Sequence, residues 1–229
     1  MADNFLIDKD GPIATLTFNR PERRNCMNID VMLEMERMLL DFRDQRDVRA
    51  LIITGAGSSF SAGADVSALK GVTDPAERQR IFRERGRRLP ALVGRCFDVM
   101  THLDQLVIGA VNGYAVGGGW AVALACDLVV AAEDAEFWVP EVDLGVPFSG
   151  FPVKELAARV GPWRAKEIAI GCRHYKAPEL YAMGLVNQVV KREAVMPAAR
   201  ELAREMAAKA PRAVRMTKAD INSVFFGVR

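Results

Sequence analysis

Apolar runs of strand length alternate with longer stretches of helical period along most of this chain. Phe5 to Asp8 and Ile13 to Phe18 flank Lys9-Asp10-Gly11-Pro12, which predicts two short strands joined by a hairpin turn. Asn28 is placed to cap a helix running from Ile29 to about Arg46, in which Val31, Met35, Met38, Leu39 and Phe42 fall on one face. The near-continuous apolar segments Arg49 to Thr54, Leu106 to Val111 and Asp127 to Ala132 read as buried strands. Between them, Pro75 to Leu103 has largely helical character, and Trp120 to Ala125 reads as a short apolar helix. Strand, helix and strand in that order imply a parallel unit, hence an α/β fold. Beyond Phe151 the pattern turns mainly helical, punctuated by Gly161-Pro162 and Gly184, with a short strand over Leu185 to Val190. No internal repeat of useful period is visible.

Composition narrows the function classes. At 229 residues, half of them hydrophobic, the chain can bury a large core as one domain. A formal charge of +2 with acids and bases intermixed gives no global case for nucleic acid or membrane as a partner. Cys26, Cys96, Cys126 and Cys172 are scattered without metal-ligand spacing and read as reduced thiols; no metal site is expected. The polar start after Met1 and the lack of a membrane-length apolar run predict a cytoplasmic protein.

Two loops carry the chemistry. Ser61-Ala62-Gly63-Ala64-Asp65 and Asn112-Gly113-Tyr114-Ala115-Val116-Gly117-Gly118-Gly119 each follow an apolar strand with small residues, and the second leads into the Trp120 helix. Free N–H groups at such a helix start attract developing negative charge. Backbone donors aimed at one oxygen are a device for stabilising an enolate or a tetrahedral oxyanion. Glycine runs taken singly mark tight turns as readily as catalysis, and neither loop has the Gly-Lys-Ser/Thr ending of a phosphate loop.

The order and spacing of the whole set resembles the crotonase superfamily, the enoyl-CoA hydratase/isomerase group. The matching residues are Phe18-Asn19-Arg20-Pro21-Glu22-Arg23-Arg24-Asn25, both glycine loops, Ala125-Cys126-Asp127, Phe137-Trp138-Val139-Pro140-Glu141, Leu144-Gly145 and Ala182-Met183-Gly184-Leu185-Val186. The resemblance implies a ClpP/crotonase spiral of repeated β-β-α units over residues 1–190, followed by a helical C-terminal region over 191–229 that is short relative to the family. It also implies a homotrimer or dimer of trimers and an acyl-CoA thioester substrate. Coenzyme A then enters with the substrate, and no separate cofactor is expected. By match to the family, the backbone N–H groups of Ala62 and Gly118 hold the thioester oxygen. Arg24, Ala64, Asp65 and Gly117 match substrate-binding or coenzyme A-binding positions, and Arg23 shares the basic position beside Arg24.

Hydratases of the family set two glutamates around this oxygen, one two residues past the glycine triplet and one twenty residues later. Here the first position is Ala121 and the second is Glu141. A single carboxylate that removes and returns a proton suits isomerisation, so the resemblance implies an enoyl-CoA isomerase acting through an enolate. A hydratase, including the hydroxycinnamoyl-CoA hydratase-lyase type, is the alternative. Asp143 is a candidate auxiliary acid, because residues 141 and 143 share a face if the backbone there is extended. Trp120 and Trp138 either pack or shape an acyl pocket; His102 and His174 have no nucleophile motif around them and read as structural. The arginine-rich stretch Arg78 to Arg88 reads first as a solvated helix lining the pocket entrance and second as a contact for the phosphates of coenzyme A; it also raises a different class, an RNA-binding relative of low activity, although it lacks interleaved aromatic residues.

Overall fold

A computed structural model describes residues 4–67, 71–74, 76–77, 80–81 and 88–226. The chain opens with β1 (Phe5–Asp10) and β2 (Ile13–Phe18), an antiparallel hairpin in which Asp10 pairs with Ile13, so Gly11-Pro12 alone make the turn. A 3-10 turn at Pro21–Arg23 leads to α1 (Ile29–Arg43), capped as the sequence predicts: Asn28 Oδ1 accepts from the Val31 N–H at 2.9 Å. The buried face of α1 carries Val31, Met32, Met35, Leu39 and Phe42. Met32 takes the central place expected for Met38, which is half-buried.

Next come β3 (Ala50–Gly55), β4 (Ser59–Ser61), α2 (Arg88–His102), β5 (Leu106–Val111), β6 (Tyr114–Val116), α3 (Gly118–Ala125), β7 (Leu128–Ala132) and β8 (Glu136–Trp138). The chain ends through α4 (Phe151–Gly171), β9 (Tyr175–Lys176), α5 (Ala177–Ala182), β10 (Gln188–Val190), α6 (Val195–Ala207) and α7 (Pro211–Phe226). Of the arginine-rich stretch, Arg78, Arg83, Arg85 and Arg87 lie outside the described residues. Arg80 pairs with Glu77 at 3.7 Å, and Arg88 opens α2.

Two sheets organise these elements. The larger has the order β1-β2-β3-β5-β7-β10 and is parallel from β2 onward; α6 lies across β3, β5 and β7. Its central strands are buried along nearly their whole length, which is why they read as unbroken apolar runs rather than alternating ones. The smaller sheet, β4-β6-β8-β9, is built from strands of two or three residues, too short to show any period in the sequence. Three successive turns, β3/β4, β5/β6 and β7/β8, each contribute one strand to the larger sheet and then one to the smaller, and this stacking is the spiral that the resemblance implies. Gly161, with φ +75°, breaks α4 ahead of Pro162 where the Gly-Pro pair predicts a stop.

Buried charge fixes the C-terminal helices. Lys218 on α7 reaches Asp127 Oδ2 at 2.7 Å and the Gln105 carbonyl at 2.8 Å, while the same Oδ2 accepts from the Val107 N–H at 2.7 Å. Asp127 therefore ties α7 to the first turns of β5 and β7. Removing one partner of such a buried pair leaves the other uncompensated.

Candidate active site

The first glycine loop is held from behind by residues 24–27. Arg24 and Asn25 are in the left-handed region, with φ +51° and +55°, and this reversal lays the following residues alongside the loop. Asn25 Nδ2 donates to the carbonyls of Ala56 and Ser59, its Oδ1 accepts from the Arg20 N–H, and the Ser61 hydroxyl donates to the Asn25 carbonyl. Met27 then bridges the loop in parallel fashion: its N–H donates to the Gly63 carbonyl at 2.7 Å, and its carbonyl accepts from the Asp65 N–H at 2.9 Å.

That pairing decides which backbone donors are free. The Ala62 N–H donates to the Arg24 carbonyl at 2.8 Å, so Ala62 is not available as an oxygen-binding donor, contrary to the expectation from the resemblance. The Asp65 N–H is also taken, and the Gly63 N–H donates to Ser61 Oγ at 3.2 Å. Ala64 sits opposite Met27 in the bridge, where strand alternation turns its N–H away from the supporting segment. Among the described residues no backbone carbonyl accepts from it.

The second loop closes against the first because its glycines have no side chains. A Cβ on Gly63 would fall on the Val116 carbonyl and 3.1 Å from the Gly118 nitrogen, and one on Gly119 would fall on the Ser61 carbonyl. Gly118 is the first residue of α3, so its N–H has no partner within the helix. The Cβ direction of Gly118 ends 3.7 Å from the Ala64 nitrogen, which brings the two free donors into one small space. At the far end of α3, Arg159 donates to the Leu124 and Cys126 carbonyls, each at 3.1 Å, and pairs with Glu155 at 2.5 Å. A cation on the terminal carbonyls complements the helix dipole whose positive end faces the loop.

Glu141 completes the site. Gly117, at φ +49°, passes so close that a Cβ there would collide with Glu141 Oε1 and lie 3.0 Å from its Cδ. Glu141 Oε2 is buried and accepts from no donor among the described residues. Burial pushes the carboxyl from the usual glutamate value of 4.5 up to about 7, against a smaller opposing pull from its own backbone amide. The folded state then binds more protons than the unfolded state between those two values, so this group lowers stability as pH rises through that window. Glu141→Gln is therefore expected to raise the melting temperature above pH 7, by an amount reflecting roughly 3 kcal/mol, with the gain fading below about pH 5. Thermal unfolding of both proteins across that range checks it.

The neighbouring candidates separate clearly. Asp143 lies in a turn, where the Leu144 N–H donates to the Pro140 and Glu141 carbonyls and the Val146 N–H to Glu141. The backbone is not extended, Asp143 is exposed, and the premise for a shared face with Glu141 fails. Ala121 is buried on α3, 1% exposed. Trp120 points into the core, edge-on to Phe137 at 5.7 Å, whereas Trp138 stacks on His174 at 4.2 Å. Arg23 pairs with Asp65 at 3.5 Å, and Arg24 is exposed beside the first loop. His102 is exposed on α2, with Nδ1 2.7 Å from the Asp98 carbonyl. Among the described residues no group of three or more His, Cys, Asp or Glu could hold a metal ion, and no helix is long and apolar enough to cross a membrane.

The family model described as Enoyl-CoA hydratase/isomerase matches residues 8–225. The chain is similar to the short-chain-enoyl-CoA hydratase of Clostridium acetobutylicum, 37% identical over 221 residues that span 96% of this chain and 81% of that protein. It is 38% identical over 220 residues to the carnitinyl-CoA dehydratase of Citrobacter koseri, covering 95% of this chain and 80% of that one. A solved structure of a monofunctional enoyl-CoA isomerase from M. smegmatis superposes with a TM-score of 0.81 at 31% identity, over 97% of this chain and 93% of that one.

Proposed function

The chain belongs to the enoyl-CoA hydratase/isomerase family, and from that premise we propose that it isomerises a 3-enoyl-CoA to the conjugated 2-enoyl-CoA, with Glu141 as proton shuttle. The observation that carries the reading is a carboxylate against the second glycine loop, Glu141, whose Oε2 is buried and without a donor among the described residues, combined with a buried alanine, Ala121, at the position of the second acid. The thioester oxygen sits between the Ala64 and Gly118 N–H groups, which stabilise negative charge as it develops there. Glu141 in its carboxylate form takes a proton from C2, and the electron pair moves onto the thioester oxygen as an enolate. The new carboxylic acid then returns the proton to C4, and the double bond comes to rest between C2 and C3. A group balanced near neutral pH serves both halves, since it must accept and release the same proton. Coenzyme A is part of the substrate in this reading, with Arg24 and the Arg23–Asp65 pair beside the first loop as candidates to meet it.

Hydration is the second reading, favoured by the hydratase and dehydratase names of relatives that are 35–38% identical. Addition of water needs the water held and deprotonated while a proton is delivered to carbon, and Ala121 offers no hydrogen bond for that purpose. Mixing the protein separately with a 3-enoyl-CoA and a 2-enoyl-CoA distinguishes them. Absorbance of the conjugated thioester growing in the first mixture, with little water added in the second, supports isomerisation; fast hydration in the second overturns it. Ala121→Glu is expected to raise the ratio of hydration to isomerisation by about tenfold or more, a fraction of the roughly 10²- to 10⁴-fold of an ideally placed general acid–base group. An unchanged ratio in product analysis by mass would show that position 121 does not set the outcome.

A further inference from the structure

A second concave site lies at the opposite end of the strands of the larger sheet. The glycine loops follow the C-terminal ends of the strands, whereas this cavity, about 590 Å³, is formed where β3 and β5 begin, between the end of α1 and the junction of α6 with α7. Its wall carries six cations, Arg43, Arg46, Arg49, Lys209, Arg212 and Arg215, against the two carboxylates of Asp44 and Asp104. Arg215 is engaged with Asp104 at 3.2 Å and Lys209 with Glu205 at 3.9 Å. Among the described residues Arg43, Arg46, Arg49 and Arg212 have no ion-pair partner, although they converge from separate chain segments.

Like charges gathered around one hollow repel unless an anion joins them. The 16-residue helix α7 starts in the same wall, adding the partial positive charge of its first turn. The wall is also rigid. Gln105, 3% exposed, donates through Nε2 to the Phe42 and Gln45 carbonyls at 2.9 and 3.0 Å, locking the end of α1 to the start of β5. Its Oε1 has no donor among the described residues.

We propose that this cavity binds a small phosphorylated anion carrying at least two phosphate charges, independently of the reaction at Glu141. Guanidinium forks from several directions suit phosphate by shape as well as charge. The volume is that of a small-molecule pocket, and no aromatic residue lines it, so it lacks the stacking platform that single-stranded nucleic acid uses.

Calorimetric titration of the full chain with inorganic pyrophosphate, in the presence of saturating coenzyme A to occupy the thioester site, tests this. The expected result is saturable one-to-one binding that weakens with added salt. Arg46→Ala/Arg212→Ala should lose about tenfold or more in affinity with an unchanged melting temperature. Arg46→Glu, a single change at an exposed position, should weaken binding in the same direction and serves if the double variant folds poorly. Absence of saturable binding, an affinity indifferent to both variants, or displacement of pyrophosphate by coenzyme A overturns the proposal. So does tighter retention of a short single-stranded RNA lost in the same variants, which would make the surface a nucleic-acid one.

Discussion

Replacing Glu141 with glutamine is expected to lower kcat by about 10²- to 10⁴-fold, the range for loss of a positioned general acid–base group, while KM for the acyl-CoA changes little. The amide keeps the shape that packs against Gly117, so the loops and their free N–H groups stay in place. What disappears is the ability to take a proton. With the native residue, kcat/KM should rise with pH about a midpoint near 7, because the carboxylate is the form that starts the reaction. The residual activity of the variant should show no such step. Loss of turnover and of binding in equal measure would point instead to a role in holding the substrate, and a native profile with its midpoint near 4.5 would place the essential base elsewhere.

The stability result expected for the same substitution separates two explanations of low activity. A variant that turns over poorly but melts higher above pH 7 has lost chemistry rather than structure. Glu141 in this view is held at a cost to the fold: its Oε2 is buried without a donor among the described residues, and the charged form is disfavoured where it sits. Residues that lower stability without a packing reason are those whose retention chemistry explains best.

The sequence carried the larger sheet well because β2, β3, β5 and β7 are buried on both faces and leave unbroken apolar runs. The Asn28 cap and the Gly161-Pro162 break were equally legible, since each rests on a local backbone requirement. The smaller sheet was not legible. β4, β6, β8 and β9 have two or three residues each, and what defines them is their mutual pairing rather than any pattern within them. The same distinction runs through the site. Glu141 stands out as a carboxylate after proline, and the Gly117-Gly118-Gly119 run stands out as glycine. Which N–H of Ser61-Ala62-Gly63-Ala64-Asp65 is free depends on residues 24–27, more than thirty positions upstream, and on the two left-handed residues that turn that segment alongside the loop. Consecutive positive φ at Arg24 and Asn25 has no glycine to announce it. Asp143 shows the reverse error, a side chain whose relevance rested on an extended backbone where the chain in fact turns.

Gly118→Pro is the sharpest test of the donor pair, because it removes one N–H at the first helical position, where proline is best tolerated; Gly117 before it, at φ +49° and ψ −114°, is not in the extended conformation that proline favours there, so the melting temperature is measured alongside. Gly118 is the first residue of α3, where the missing hydrogen bond costs the helix nothing and the fixed φ suits it. Its Cβ meets the flexible tip of Met27 at 3.1 Å, a contact that a methionine can yield to, and its Cδ stands where the N–H pointed. Turnover should fall about 10²- to 10³-fold, as for loss of one oxyanion donor, while Gly118→Ala, which keeps the N–H, should retain most activity. The first loop supplies the complementary contrast. Ala64→Pro deletes a donor that the fold does not use and should act on kcat, with the melting temperature nearly held. Ala62→Pro deletes the donor to the Arg24 carbonyl and should lower the melting temperature instead, by an amount reflecting about 1–3 kcal/mol. If the two swapped, with Ala62→Pro stable but inactive and Ala64→Pro unstable, the oxygen would be held by Ala62 and the bond to Arg24 would have to open for substrate to bind.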